Sequence, residues 1–121
     1  MSHTLTVKTK FTDPEAIRQT CRELGIAEPT RGKVTMFDGK TIADGYAVRL
    51  KDWREPVAID AETGEAFFDN YGGSWGKQEH LDRFTQLYQT NAATNAAEAL
   101  GYQVSREVTA SGTVRLFVSG Y

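Results

Sequence analysis

The sequence is poor in the residues that build disulfides and metal sites. Its 121 residues contain one cysteine, Cys21, and two histidines, His3 and His80. A single thiol excludes an internal disulfide and agrees with a reducing compartment. Because no Cys-x-x-Cys or His-x-x-x-His spacing is present, we predict neither a metal site nor a cofactor.

Long apolar runs are also missing. No stretch approaches the roughly 20 apolar residues that span a bilayer. The N-terminal residues lack the charged and then apolar pattern of a signal peptide. We therefore predict a cytoplasmic protein with no membrane partner.

The sequence has no strong excess of charge of either sign. Its formal net charge is −2 at pH 7, whereas nucleic-acid-binding proteins usually concentrate Lys and Arg on one face. Residues 31–54 hold six basic and three acidic side chains, a net of +3, and we interpret them as a solvated strand face. Nucleic acid is not favoured as a partner, since binding would require these side chains on one face: Lys33, Lys40, Arg49 and Lys51.

The overall amino-acid composition is typical of a globular protein. Hydrophobic residues make up 40% and charged residues 25% of the chain, which argues against disorder. The length fits one domain with a single core, residues 1–121. Cys21 follows Ile17 by four residues and precedes Leu24 by three, so it lies on an apolar helical stripe and is interpreted as a buried, inert thiol.

Patterning predicts a strand followed by a helix at the start of the chain. Residues 4–11 alternate between apolar and polar side chains, as in a half-buried strand. The segment Thr12-Asp13-Pro14-Glu15 supplies an N-cap, a proline suited to the first helical turn and an acid suited to the positive end of the helix dipole. The predicted helix runs to about Leu24 and ends at Gly25.

Three hairpins and a second helix are predicted in the rest of the chain. Asp38-Gly39 predicts a two-residue type I′ turn in the first hairpin, and Tyr46, Val48 and Leu50 share one face of its second strand. Apolar residues recur every three or four positions over residues 77–100 and predict the helix. The predicted strand pairs are 33–37 with 41–50, 57–60 with 65–70, and 103–108 with 113–118.

The predicted order of elements is β-α-β-β-β-β-α-β-β. This order favours an antiparallel sheet of hairpins with two helices packed on it, which is an α+β single domain. The repeated β-α-β units of a doubly wound parallel sheet are missing.

The most informative segment runs from Phe67 to Lys77, where a predicted strand meets the long helix. It gathers four aromatic residues and three glycines. Its Gly-Lys ending suggests a phosphate-binding loop, but Tyr71 and Gln78 stand where that loop needs a glycine and a hydroxyl. We therefore interpret the segment as a glycine-rich hinge, and nucleotide hydrolysis is not favoured.

No set of side chains has the types and spacing of a known catalytic site, so no catalytic residue is predicted. His80 lies in the first turns of the second helix, where an exposed polar position is expected. No serine occupies a Gly-x-Ser-x-Gly elbow. Several acids of the central hairpin could perform acid and base steps, although a solvated strand face explains them as well: Asp52, Asp60, Glu62, Glu65 and Asp69.

Short segments spread along nearly the whole chain resemble one protein family. These are Met1-Ser2-His3 with Lys8-Thr9-Lys10, Leu24-Gly25, Tyr46-Ala47-Val48-Arg49-Leu50, Tyr71 to Gly76, Phe84 with Tyr88, Gly101-Tyr102-Gln103-Val104 and Gly112-Thr113-Val114-Arg115-Leu116. In this order they resemble the plastid and cyanobacterial "hypothetical chloroplast reading frame thirty-five" proteins, also called domain of unknown function twelve fifty-seven. The chain departs from the family pattern at Ser74-Trp75, where a paired tryptophan is expected, and at Leu87, where a basic residue is expected.

The resemblance implies a fold and a cytosolic or stromal setting more than a function, because the family has no established activity or cofactor. Its members are often found beside an AAA-type ATPase, which implies an accessory or adaptor role. We therefore predict a noncatalytic module that binds a protein partner, with an AAA-type ATPase as one candidate and a homo-oligomer as a further expectation. The candidate protein-binding residues are Tyr71, Trp75, Lys77 and His80.

An alternative hypothesis is a small enzyme or ligand-binding protein with a pocket near Trp75 and His80. An enzyme requires converging polar groups in a concave pocket, whereas a binding module requires Trp75 in an exposed apolar patch. The sequence does not decide whether Trp75 is exposed or buried.

Overall fold

Seven strands, two α-helices and one short 3₁₀ helix, Tyr71–Gly73, follow one another along residues 4–111 and 113–120, which are the residues that the computed structural model describes. Met1-Ser2-His3 and Gly112, both used above, lie outside this part of the chain. The helices are α1, Pro14–Leu24, and α2, Gln78–Ala99. The strands are β1, Leu5–Val7; β2, Thr30–Thr35; β3, Thr41–Val48; β4, Val57–Asp60; β5, Ala66–Phe68; β6, Gln103–Val108; and β7, Val114–Ser119.

The first five strands form one antiparallel sheet in the order β1-β5-β4-β3-β2. Alternate residues of β3 and β4, such as Tyr46, Val48 and Ile59, point to one face, where they pack with Ile17 of α1 and Phe84 of α2. The α+β class and the order of strands and helices predicted from the sequence are thus confirmed in one compact domain.

The outer end of the β2–β3 hairpin forms a second, smaller apolar cluster. Val34, Met36 and Ile42 are buried there with Ala58, and the half-buried Phe67 packs against them. A register shift between Gly32 and Val34 interrupts the pairing of β2 with β3, and such irregularities bend a strand. The hairpin turn lies close to the residue before β1, since the Thr4 hydroxyl donates to Asp38 Oδ2 at 2.7 Å.

The turn at Asp38-Gly39 is not the type I′ turn that the sequence predicted. Type I′ needs positive φ at both central residues, yet Gly39 has φ 93° and Asp38 is not in the left-handed region. Met36 accepts a hydrogen bond from the Gly39 N–H at 2.9 Å and donates to the Lys40 carbonyl at 2.7 Å. The loop is therefore one residue longer than predicted, which places Phe37 at its exposed tip.

Helix α1 begins and ends where the sequence predicted. Asp13 is the N-cap and accepts from the Ala16 N–H at 3.1 Å, Pro14 is the first helical residue, and Gly25 closes the helix in the left-handed conformation. Asp13 also ties α1 to α2, since its N–H donates to the Tyr88 hydroxyl at 2.9 Å. The predicted cap therefore fixes the packing of the two helices as well as the start of one.

Strands β6 and β7 pair with each other and form a separate two-stranded sheet, which differs from the one predicted sheet. They lie against α2 and are tied to α1 by a bidentate ion pair, in which Arg106 donates to the two carboxylate oxygens of Glu23 at 3.1 and 2.8 Å. These hydrogen bonds are the main reason that the pKa of Glu23 lies below its ordinary value.

We expect Glu23→Gln to lower the free energy of unfolding by about 0.5–1 kcal/mol at pH 7, measured by urea denaturation, because it removes a partly exposed ion pair. A lowered pKa means that the pair contributes fully above the ordinary glutamate pKa of about 4.3 and is lost as the pH falls through the lowered pKa. The difference between wild type and variant should therefore shrink below about pH 4.

Glu62→Gln is the matched control, because Glu62 is exposed in the β4–β5 turn, and we expect it to leave stability unchanged. The loss of unfolding free energy in Glu23→Gln, relative to wild type, could instead stay constant down to about pH 2, below the pKa of a paired carboxylate. That result would show that the charge of Glu23 is not what holds the terminal hairpin.

Candidate functional site

Three aromatic side chains meet on the surface and are called the aromatic cluster here: Phe37, Tyr71 and Trp75. The Trp75 ring stacks on Tyr71, with centroids 4.9 Å apart and an interplanar angle of 21°. Phe37 meets the same ring edge-on at 5.0 Å. Phe37 is 56% exposed and Tyr71 41% exposed, so the cluster presents aromatic surface to the outside.

Arg54 adds a cation to the aromatic cluster. Its guanidinium carbon lies 4.4 Å from the centroid of the Trp75 ring, within the range of a cation–π contact. The Arg54 N–H also donates to the Trp75 carbonyl at 2.8 Å. Trp75 is thus held through both its ring and its backbone, by a residue that is distant in sequence.

The loop that carries Tyr71 and Trp75 is closed by its own hydrogen bonds. The Trp75 N–H donates to the Asn70 carbonyl at 2.9 Å, and the Asn70 side-chain amide donates to the Gly76 carbonyl at 3.1 Å. Tyr71 has φ 49°, and Asp69 Oδ1 accepts from its N–H at 3.1 Å. A left-handed tyrosine is strained and persists only where its surroundings fix it, so this glycine-rich loop has a defined structure.

Beneath the loop lies a second tryptophan, Trp53, which is buried. Its indole N–H donates to the Lys77 carbonyl at 3.0 Å. A Cβ placed on Gly76 would lie 2.5 Å from the Trp53 ring, so the ring and the loop backbone are in direct contact. Only glycine lets the chain approach the ring this closely.

The two tryptophans settle the position of Trp75 that the sequence left open. Trp75 is half-buried, with one part of its ring covered by Tyr71 and Arg54. Trp53 is the buried residue that fills the space between the loop and the core. Sequence reasoning named Tyr71 and Trp75 as candidate binding residues, which stays a prediction. It missed Phe37, Arg54 and Trp53, whose contacts with the Trp75 ring or with the loop join segments distant in sequence.

The other two candidate residues, Lys77 and His80, begin α2. Lys77 is exposed and is the N-cap residue, and its carbonyl also accepts from the His80 N–H at 3.1 Å. His80 is half-buried and lines a hollow of about 220 Å³. The hollow lies between the end of α1, the loop after β3 and the start of α2, and its lining comprises Leu24, Ile26, Leu50, Lys51, His80 and Arg83.

Trp75 does not line the hollow that contains His80, so the hypothesis of a pocket near both residues stays a prediction. The two residues are linked through the loop after β3, in which Lys51 borders the hollow and Arg54 lies over Trp75. Trp53 stands between these two cations in sequence. Of the four predicted residues, Tyr71 and Trp75 belong to the aromatic cluster and His80 to the hollow, whereas Lys77 is the exposed N-cap residue of α2.

The acids of the central hairpin do not converge as a group. Asp60, Glu62 and Glu65 line an open cleft of about 520 Å³ with Asp44, whereas Asp69 is buried in the loop before α2. Within the cleft, Asp44 is paired with Arg31 at 3.0 Å, which holds the pKa of Asp44 below its ordinary value. Asp60 is engaged in the turn that follows it, where Oδ1 accepts from two backbone N–H groups.

The described part of the chain supports neither a reactive cysteine nor a metal site. Cys21 is fully buried, and burial raises the pKa of its thiol to about 11, so the reactive thiolate is scarce at neutral pH. Over residues 4–111 and 113–120, no group of three or more His, Cys, Asp or Glu side chains is arranged to hold a metal ion. No helix in those same ranges is long and apolar enough to cross a membrane.

No family model, curated protein or solved structure matches this chain. The family resemblance stated above therefore stays a prediction, and the function is argued from the geometry of the site.

We expect Gly76→Ala to lower the free energy of unfolding by about 1–3 kcal/mol, because the new methyl group would overpack against the Trp53 ring. Urea denaturation followed by circular dichroism measures the loss. Gly120→Ala is the matched control, since a Cβ there would make an ordinary 3.9 Å contact with Tyr102. Equal stability of the two variants would mean that Trp53 does not support the loop.

Proposed function

We propose that this protein is a noncatalytic binding module that docks a protein partner through the aromatic cluster and Arg54. The observation that carries the proposal is the half-buried Trp75 ring, which is stacked on Tyr71, covered by Arg54 and met by the exposed Phe37. Tryptophan, tyrosine and arginine are the residue types most enriched among the side chains that dominate binding energy.

The cluster is suited to binding because its side chains are already ordered. Phe37 comes from the β2–β3 turn, Arg54 from the loop after β3, and Tyr71 with Trp75 from the loop before α2. Their mutual contacts fix the rings before any partner arrives. Binding therefore costs little side-chain entropy, which is the main advantage of a preorganised surface.

The charges around the site favour a partner segment that is both apolar and acidic. Arg54 lies on the cluster, Lys77 is exposed two residues after Trp75, and the hollow has an apolar wall bordered by Lys51, His80 and Arg83. An apolar side chain of the partner could enter the hollow while neighbouring carboxylates meet the cations. Lys77 and His80 then extend the contact that the aromatic cluster begins.

The family resemblance adds one candidate for that partner, an AAA-type ATPase that this protein would serve as an adaptor in the cytoplasm. The proposal of a protein partner rests on the cluster and does not depend on this candidate. If it holds, the captured partner should carry nucleotide-hydrolysing activity.

A second candidate function is the binding of a small anionic ligand in the hollow. The observation that favours it is the combination of apolar lining residues, such as Leu24 and Leu50, with three basic side chains in a volume of about 220 Å³. It requires no part of the aromatic cluster, so the two functions can be separated by mutation.

We expect Trp75→Ala to weaken partner binding roughly thirtyfold, since truncating a dominant interface side chain costs about 2 kcal/mol. The measurement is affinity capture from the native cell, with the recovered proteins quantified by mass spectrometry and the binding confirmed with the purified partner. Circular dichroism and thermal melting establish that the variant remains folded.

Leu100→Ala serves as the matched control, because Leu100 is an exposed apolar residue after α2, away from the cluster in sequence. It should recover the same proteins as wild type. Recovery of the same partners by Trp75→Ala and wild type, or of none by either, would overturn the proposal. Loss of protein capture on His80→Ala, with capture kept by Trp75→Ala, would move the protein-binding surface from the aromatic cluster to the hollow.

A further inference from the structure

The terminal hairpin carries apolar surface that the rest of the protein does not cover. Phe117 and Val118 of β7 are 51% and 54% exposed, and Val108 of β6 is also exposed. Both strands lie against α2 and, over residues 4–111 and 113–120, pair with no strand other than each other. A two-stranded sheet is marginal in water and gains stability from a third strand.

Strand β7 also lacks the features that protect a sheet edge. Its six residues are Val-Arg-Leu-Phe-Val-Ser, with one charged side chain, Arg115, and no proline. Exposed edges usually carry lysines, prolines or bulges that prevent pairing with another chain. The free edge of β7 is therefore chemically ready to accept another strand.

We propose that β7 pairs antiparallel with β7 of a second copy of this chain, about a two-fold axis at Leu116, so that β6-β7 and its symmetry mate form one four-stranded sheet. In this register Leu116 faces Leu116 of the second copy. Val114 faces Val118 of the second copy, and Arg115 faces Phe117 of the second copy. The proposal is independent of the aromatic cluster.

The first reason for choosing a second copy is that valines would form continuous rows on the sheet face that contains Val114. Within one chain Val108 lies opposite Val114, and Val104 lies opposite Val118. The proposed pairing continues each row across the new interface, so that four valines from two copies lie side by side. β-branched neighbours of this kind stabilise a sheet.

The second reason is the cation–π pairing of Arg115 with the Phe117 ring of the second copy on the opposite face. Within one chain Glu107 lies opposite Arg115, and Ser105 lies opposite Phe117. The pairing places each Arg115 between its own Glu107 and the Phe117 ring of the second copy, where a cation–π contact can form. Both Arg115 and Phe117 then have a suitable neighbour on each side.

Other symmetric registers are poorer. A shift of two residues in one direction brings Arg115 opposite Arg115 of the second copy, and like charges directly opposite are destabilising. A shift in the other direction pairs Phe117 with Phe117, but it brings Val114 opposite Gly120, which leaves the valine side chain uncovered, and it moves Arg115 away from the ring to face Ser119. The register about Leu116 is the one in which the strand complements itself.

Phe117→Lys and Phe117→Glu form a matched pair of tests, because residue 117 is exposed and either charge can be carried by the folded monomer. Lysine would face Arg115 of the second copy, whereas glutamate would pair with it. We expect the dimer dissociation constant of the lysine variant to exceed that of the glutamate variant at least about tenfold, since the like-charge pair occurs twice.

Sedimentation equilibrium over a range of concentrations measures both constants together with that of wild type. A wild-type protein that remains monomeric up to millimolar concentration overturns the proposal. Equal dissociation constants for the lysine and glutamate variants overturn it as well.

Disulfide trapping tests the register without disturbing charge. Leu116→Cys places two thiols opposite each other at the two-fold axis, within the Cα separation that a disulfide accepts. Ser119→Cys is the control, because in this register residue 119 of one copy lies far from residue 119 of the second copy. We expect the native Cys21 to form no disulfide in this test, since it is buried and the pKa of its thiol is raised to about 11.

At a protein concentration above the dissociation constant given by sedimentation, we expect the Leu116→Cys variant to form the disulfide-linked dimer at least about tenfold faster than the Ser119→Cys variant, because the pairing gives the opposed thiols an effective concentration near the millimolar range. Non-reducing electrophoresis over a time course gives both rates. Equal rates for the two variants overturn the proposed register.

Discussion

The contact between Trp53 and the backbone of Gly76 and Lys77 is the interaction on which the candidate site depends. The Trp53 ring touches Gly76, donates to the Lys77 carbonyl at 3.0 Å and packs 6.0 Å from the Phe68 ring. It thereby joins the loop after β3 to the strand β5 and to the start of α2. The buried ring fills the space beneath the loop, and the hydrogen bond to Lys77 satisfies its single polar group.

That support explains why strained backbone is tolerated at the surface. Tyr71 adopts a positive φ, which costs free energy that the surrounding contacts must offset. The stack on Trp75 and the hydrogen bond from the Tyr71 N–H to Asp69 offset it locally. The two proposals would use different modes of recognition. The aromatic cluster would rely on fixed side chains, whereas β7 would rely on edge backbone groups that pair with no second strand within residues 4–111 and 113–120.

Features encoded within a few residues were predicted well. The cap at Asp13 and Pro14 and the stop at Gly25 depend on hydrogen bonds within one helical turn, so sequence suffices to find them. The prediction of a type I′ turn at Asp38-Gly39 was wrong, because the length of the turn depends on the register of both strands. Phe37 and Arg54 were missed as site residues, since their shared partner in the cluster is distant in sequence. An aromatic residue beside a predicted turn is the one signal that could have drawn attention to Phe37.

By itself, the sequence determined the α+β class, the order of strands and helices, and the buried state of Cys21, because periodicity and caps are local properties of the chain. Only the tertiary structure decided which tryptophan is buried, that Trp75 and His80 belong to separate surface features, and that the last hairpin forms its own sheet. These outcomes depend on contacts between distant segments. Whether a given apolar side chain is covered is settled by the shape of the whole fold, which local patterning does not specify.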